Sequence, residues 1–441
     1  MAVWELTPEL FAWVQGLVWM LDARSQPRVA PLLVGALFGQ GRRTVSRWIV
    51  AAGLSGQFQR YYYALGTLGR KSNQVASSLV GLVRRVVPLP DRILLAIDDT
   101  LTKRYGPRVE GAGIHHNPTP GPADAKLAYG HVWVTLAWVV RHPRWGTIAL
   151  PLLAKLYVRA KDIAPLAMWY DWTFRTKLEL AGELLKWAKF WLSWVERPVW
   201  VVVDGGYAKR PFLDRARELS ITVVGRLRKD AALFDVPPPR KPGQRGRPRK
   251  YGARISLAGR ARHRHGWQTG EFLLYGQWTT KTYKTFVATS RFVPGPIRVV
   301  IVKETHGWFA WFCTDPGARV ADILEAVADR AAIEQVFHDV KEVHGAGQQQ
   351  LRNVWANVGA WNLLLWLFTL IELWAWRRDE SELIDRTARP WDGQPRRPSH
   401  ADKRNALRRA CLRQTFSPRR ATHRLTRKIE RLVNQLASLV C

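Results

Sequence analysis

Three acids and two cations in this chain have the types and spacing for metal-assisted chemistry. Arg330, Glu334 and Lys341 are four and then seven residues apart, which at about 3.6 residues per turn puts all three on one helix face. Ile333, Val336, Val340 and Val343 form an apolar stripe beside them, so a helix over Asp329 to Gly347 has a buried side and a polar one. Two more acids end short apolar runs: Leu94-Leu95-Ala96-Ile97 leads into Asp98, and Trp200-Val201-Val202-Val203 leads into Asp204. Such runs make buried strands, and the carboxyl ends of buried strands are where open α/β sheets turn side chains into a crevice. Three converging carboxylates suit a hard, oxygen-preferring cation. Each feature also has an ordinary reading, the Arg/Glu pair as a solvated helix pair and each Asp as a turn or cap residue. Their combination is what points to a site.

These residues carry a family resemblance. The segment Arg330, Ile333-Glu334, Phe337, Asp339, Lys341 resembles the Tyr-Arg-Glu-Lys signature of bacterial insertion-sequence transposases with an Asp-Asp-Glu active site. In that signature an Arg, three residues, a Glu, six residues and a Lys follow a Tyr; Val327 stands at the Tyr position, so the ring contact to the DNA backbone is lost. Ala96-Ile97-Asp98-Asp99-Thr100 is similar to the family's first-aspartate strand, Val203-Asp204-Gly205-Gly206-Tyr207 to its second, and Thr314-Asp315 to the approach to the signature helix. The resemblance spans residues 90 to 375. It implies an α/β fold: a ribonuclease H-like catalytic core interrupted by a β-rich insertion, with helical N-terminal and C-terminal regions.

Composition is consistent with a DNA partner. The 441 residues, 47% hydrophobic, leave room for two or three domains with a substantial core. Lys and Arg number 68 against 35 Asp and Glu, a net charge of +33 that favours a polyanion. The Trp361–Trp376 stretch is interrupted by Glu372 and falls short of the roughly 20 apolar residues that span a bilayer, so it reads as a buried core helix. Nothing at the N-terminus resembles a signal peptide, and no membrane association is expected. Cys313, Cys411 and Cys441 are too far apart for a zinc set and are expected as reduced cytosolic thiols in a cytoplasmic, nucleoid-associated protein.

The chain divides at composition shifts. Residues 1–90 are expected to be helical, on the spacing of Leu10, Val14, Leu17, Val18 and Leu21, and to bind DNA; Thr44 to Ala51 after Arg42-Arg43 suits either a helix-turn-helix unit or a plain bundle. Tyr61-Tyr62-Tyr63 suits the core better than base stacking. Residues 91–226 form the first part of the core: the Asp98 strand, a Gly/Pro/His-rich loop over 106–122, strands at His131–Val140 and Thr147–Leu150, a Trp-rich helix over Thr176–Val195, the Asp204 strand, and a fifth strand at Ile221–Gly225. Glu334 follows Asp204 by 130 positions, too many for one helix and a loop, so 227–317 is an insertion with strands at Phe272–Tyr275, Thr285–Thr289 and Val299–Val302. Within it, Gln244 to Lys250 contains Arg-Gly-Arg-Pro, similar to an AT-hook core, whose Arg245, Arg247, Arg249 and Lys250 would follow a narrow minor groove. Residues 318–376 close the core, with a long helix over Val354–Trp376. Residues 377–441 form a basic tail, broken by Pro390, Pro395 and Pro398 and helical again at Leu425–Leu439, for phosphates or for solvent.

The resemblance implies a transposase that binds terminal inverted repeats, cuts, and joins the ends to target DNA. Asp98, Asp204 and Glu334 would hold two Mg²⁺ ions, Mn²⁺ substituting, and Arg330 and Lys341 would neutralise phosphates. Trp308 or Trp311 would stack on a displaced base, although with 23 Trp in the chain either suits the core as well. The partner is double-stranded DNA, at transposon ends and at the target, with a homodimer on paired ends. Asp99 competes with Asp98 for the first position, because a one-residue shift reverses a strand side chain. A transposase-derived DNA-binding regulator and an unrelated nuclease of the same fold are the alternatives.

Overall fold

The apolar spacing of the N-terminal region is realised as helices. The computed structural model describes residues 4–117, 125–239, 245–387 and 391–416. Leu10, Val14, Leu17 and Val18 are buried on α1 (Pro8–Val18), whose first turn is capped by the Thr7 hydroxyl. Helices α2 (Gln26–Phe38) and α3 (Val45–Ala51) follow, packed so closely that a Cβ at Gly35 would stand 2.2 Å from the Trp48 carbonyl oxygen. Thr44 caps α3, and Val45 and Gln349 join its start to the chain after the signature segment. The region is completed by α4 (Phe58–Arg70) and α5 (Ser72–Val86). Its three tyrosines divide: Tyr61 is buried and Tyr63 exposed.

The strands join one twelve-stranded sheet among the described residues. Strand β1 (Ile93–Lys103) pairs antiparallel with β3 (Leu127–His142), and β3 with β4 (Gly146–Tyr157). Between β1 and β3 lies the short β2 (Gly113–His116), inside the stretch read as a loop; 118–124 lie outside the described residues. After α6 (Ala164–Tyr170) and α7 (Lys177–Trp191), the β5 strand (Val199–Val203) lies parallel to β1. Helix α8 (Arg210–Glu218) then leads to β6 (Thr222–Leu227), parallel to β5. Across this half the order is β4-β3-β1-β5-β6.

The strands expected in an insertion extend this same sheet. Strands β7 (Leu233–Phe234) and β8 (Arg254–Ile255), helix α9 (Leu257–Arg262), and strands β9 (Gln268–Leu274), β10 (Gln277–Ser290) and β11 (Pro296–Glu304) precede β12 (Gly307–Cys313). The β12 strand, which sequence pattern did not reveal, pairs antiparallel with β6 and joins the two halves.

The helix expected from Asp329 to Gly347 is shorter, Ala331–Glu342, and a separate helix ends at Asp329 just before it. Helix α10 (Val320–Asp329) meets α11 (Ala331–Glu342) at Arg330, where the hydrogen-bond ladder tightens: the Arg330 amide bonds Ala326 four residues back, but the Ile333 amide bonds Arg330 only three back. The chain leaves helical conformation before Gly345 and Gly347, both at positive φ, and a Cβ at Gly345 would also strike the Arg43 side chain at 2.3 Å. Helix α12 (Val354–Ala375) is long and apolar enough to span a membrane, yet its most apolar window is 94% buried in the fold. It lies on α4 and β4. Gly69 and Gly359 face each other there: a Cβ at either would stand about 2 Å from a carbonyl oxygen of the opposite helix.

Part of the expected tail is core. After α13 (Glu380–Leu383), α14 (His400–Phe416) docks on α12, and its Lys403, Arg404 and Arg408 are buried. Glu372 accounts for Lys403, its carboxylate accepting from His400 Nδ1 at 2.7 Å and from Lys403 Nζ, while Arg404 donates to the Leu37 carbonyl and Arg408 lies over the Phe38 ring. Residues 388–390 and 417–441, with Pro390 and the Leu425–Leu439 stretch, lie outside the described residues.

Candidate active site

Sheet register brings the two aspartates together. Ile97 lies opposite Val203 in the last pair of the parallel strands β1 and β5, so Asp98 and Asp204 are the next residues along. Asp204 lies just past the end of β5, whereas Asp98, expected at a strand end, lies inside β1, which runs on to Lys103 paired with β3. Adjacent strands are about 4.8 Å apart, close enough for the two charges to interact. Beyond the end of β5, Asp204 turns back on its own chain: its Oδ1 accepts from the Gly206 amide at 2.7 Å and the Tyr207 amide at 3.2 Å. A Cβ at Gly206 would stand 3.0 Å from that oxygen, so a side chain there would crowd the carboxylate.

Alternation along β1 separates Asp98 from Asp99. Asp98 faces α11, where Arg330 Nη1 lies 2.7 Å from its Oδ2. Asp99 points the other way, to Lys177 Nζ at 2.6 Å and the Tyr207 hydroxyl at 2.7 Å. Burial raises the Asp98 carboxyl, Arg330 and the Asp99 amide oppose it, Asp204 and Asp99 add repulsion, and the balance lies at about 6. Tyr207, buried against the same acids, is raised well above the ordinary phenol range.

Arg330 joins two of the three acids. Its Nη2 donates to Glu334 Oε1 at 2.5 Å, one helical turn on, while Nη1 holds Asp98. Glu334 is 57% exposed, whereas Asp98 and Arg330 are below 20%. Lys341 lies further along the same face, donating to Thr100 Oγ1 at 2.6 Å in the site's floor, and burial lowers its pKa. Arg104, the residue after β1, reaches the Gly347 carbonyl and Asn357 Oδ1.

The helix junction is fixed by Asp329, a residue whose role its spacing did not reveal. Asp329 is buried and accepts from Arg141 Nη2 at 2.9 Å and Thr147 Oγ1 at 2.5 Å, tying the start of α11 to the β3–β4 hairpin. Arg330, the next residue, therefore leaves a fixed backbone toward Asp98. Spacing alone gave no sign of this, because the partners lie far back in the chain.

The remaining candidates lie around this centre. Trp311 and Trp308 are partly buried on β12. Trp311 is directly across from Arg226 on β6, whose guanidinium lies 4.6 Å from the Phe309 ring centre and 6.0 Å from that of Trp311. Arg226 borders the Asp204 loop, since its carbonyl oxygen is 3.5 Å from a Cβ built at Gly205. Trp308 is further out, with Lys229 Nζ 5.3 Å from its ring centre. Arg245, Arg247, Arg249 and Lys250 are exposed in a segment without helix or strand; Gln244 lies outside the described residues.

The donor set fits a hard divalent cation in its chemistry, being carboxylate oxygens on the neighbouring chains of β1 and the β5 exit with a helix acid nearby. Among the described residues no three His, Cys, Asp or Glu side chains stand around a single metal position. The Arg330 guanidinium instead supplies the positive charge between Asp98 and Glu334.

The family model described as DDE superfamily endonuclease matches residues 20–289, more than half of the chain. The chain belongs to this family. Membership supports nuclease- or transposase-type chemistry and implies a DNA substrate. The matched span contains Asp98 and Asp204 and stops within β10, before Glu334. A comparison with curated proteins finds no match.

Proposed function

We propose that the protein is a DNA transposase with a ribonuclease H-like core, in which Asp98, Asp204 and Glu334 are the three catalytic acids. The observation that carries this reading is the placement of Asp98 and Asp204 directly after the last pair of the parallel β1 and β5 strands, with Arg330 linking Asp98 to Glu334. The order β4-β3-β1-β5-β6, with the first three strands antiparallel and the last two joined in parallel to β1, supports the core assignment. Strands β7 to β12 then form the β-rich insertion, built as an extension of the core sheet.

Two Mg²⁺ ions, or Mn²⁺ in their place, would be held by the three acids and would activate the attacking oxygen and stabilise the leaving one at an in-line phosphoryl centre. The chain's own residues prepare that centre. Gly206 and Tyr207 amides fix the Asp204 carboxylate, and the Asp329 anchor fixes the helix that carries Glu334. Arg330 and Lys341 neutralise phosphates on the face they share with Glu334, while Trp311 and Arg226 border the Asp204 side with a ring and a cation suited to an unstacked base. Residues 245–250 and the N-terminal helices hold flanking duplex, and two copies pair the ends.

The test is cleavage and joining of a labelled DNA end taken from the repeats flanking the gene, with Mg²⁺, by wild type and Glu334→Gln. Wild type is expected to cut and join, and the variant to bind DNA and do neither. Binding without reaction by both, beside an active control transposase, would replace this reading with that of a non-cutting regulator.

A further inference from the structure

Arg330 holds the same carboxylates that the three-acid reading assigns to metal. Its two terminal nitrogens are spent on separate acids, Nη1 on Asp98 Oδ2 at 2.7 Å and Nη2 on Glu334 Oε1 at 2.5 Å. A guanidinium is always charged and its planar fork suits two carboxylates, so Arg330 serves as a built-in cation between them. A divalent ion and the guanidinium cannot both occupy that space.

The surroundings fix the backbone of this arrangement and leave its side chains as the parts that could move. The Arg330 backbone sits at the α10–α11 junction, pinned by its neighbour Asp329 through Arg141 and Thr147. Only the side chain is free to swing. Glu334, more than half exposed, can follow it or stay, whereas Asp98 is largely buried and Asp204 is held by backbone amides. Asp98 therefore needs a cation in either position, because its charge is buried beside Asp204 and Asp99. The natural competitor for a guanidinium fork is a phosphate, which accepts two parallel hydrogen bonds.

We propose that Arg330 gates the metal site: it neutralises Asp98 and Glu334 until a DNA phosphate draws the guanidinium away, and the two freed carboxylates then close on a divalent ion. The inference rests on the three-acid reading and adds that metal and DNA load together. The coupling is reciprocal, DNA raising metal affinity by the factor by which metal raises DNA affinity. Metal chemistry is thereby withheld until a strand is in place.

The test is titration of the full chain with Mn²⁺ alone, free ion being followed by electron paramagnetic resonance, for wild type, Arg330→Gln and Arg330→Lys, each with and without Asp98→Asn. Without DNA, Arg330→Gln is expected to bind Mn²⁺ more tightly than wild type by roughly 5- to 150-fold, the usual range of coupling between two sites, and Asp98→Asn to abolish the gain. A short mixed-sequence duplex is expected to raise wild-type affinity and leave Arg330→Gln unchanged. Arg330→Lys keeps the charge but cannot span both carboxylates, so it should fall between them; it carries the test if the Gln variant fails a thermal melt. Equal Mn²⁺ affinity in wild type and both Arg330 variants, with Asp98→Asn weakening all three, would overturn the gate and leave the acid site standing. Mn²⁺ binding indifferent to Asp98→Asn in all three backgrounds would overturn the metal reading and the gate with it.

Discussion

Asp98 and Asp99 are consecutive on β1, yet one faces Arg330 and the signature helix while the other is bound to Lys177 and Tyr207. Strand alternation explains the division. The two aspartates were legible because uninterrupted apolar runs stop at them, although only Asp204 ends its strand and β1 runs on past Asp98 to Lys103; the helix face was legible because Arg330, Glu334 and Lys341 keep helical spacing. What spacing could not give was the support: Asp329 on Arg141 and Thr147, Tyr207 on Asp99, and Arg226 beside the Asp204 loop all join segments distant in the chain. Gly206 belongs to that support. Gly206→Ala is expected to displace the Asp204 carboxylate and slow single-turnover DNA cleavage by about 10²-fold, as small misplacements in a reacting centre do, with an unchanged melting temperature.

At the level of elements, close helix contact and strand-edge satisfaction hold the N-terminal helices and α12 against the sheet. Gly69 and Gly359 let the α4 and α12 backbones touch. Gly359→Ala is expected to lower stability by about 1–3 kcal/mol in denaturant unfolding, because the added methyl meets backbone rather than a flexible side chain. Asn362 on α12 pairs both its amide groups with the Ala154 backbone, and Trp366 and Thr369 bond the Leu152 and Pro151 carbonyls, so the outer strand β4 is covered. The sequence showed α12 as a core helix but not its polar contacts with β4. It also left β12 unread, since its aromatic residues fall in adjacent pairs, Trp308-Phe309 and Trp311-Phe312, and lack clean alternation.

For the whole molecule, the fate of the basic C-terminal region depends on Glu372. Its carboxyl is held below the usual range: burial acts to raise it, but Lys403 and His400 outweigh that. A depressed carboxyl stabilises the fold fully above the unfolded glutamate pKa, and the contribution fades as pH falls through and below it. Glu372→Gln, which leaves Lys403 buried without its partner charge, is expected to cost about 3–5 kcal/mol and to flatten the acid side of the stability profile in denaturant melts. The net charge of +33 acts at longer range. Replacing Arg245, Arg247, Arg249 and Lys250 by Ser is expected to weaken DNA binding uniformly across sequences and to reduce the salt slope by about one for each phosphate no longer neutralised, measured by fluorescence anisotropy at several salt concentrations. The central claim is that Asp98, Asp204 and Glu334 act as one set, and single-turnover cleavage of a labelled DNA end by Asp98→Asn, Asp99→Asn, Asp204→Asn and Glu334→Gln tests it most directly. The expected result is loss of cleavage in the Asp98, Asp204 and Glu334 variants with DNA binding kept, and measurable cleavage in the Asp99 variant. Cleavage at the wild-type rate by any of the first three, or loss in Asp99→Asn alone, would contradict it.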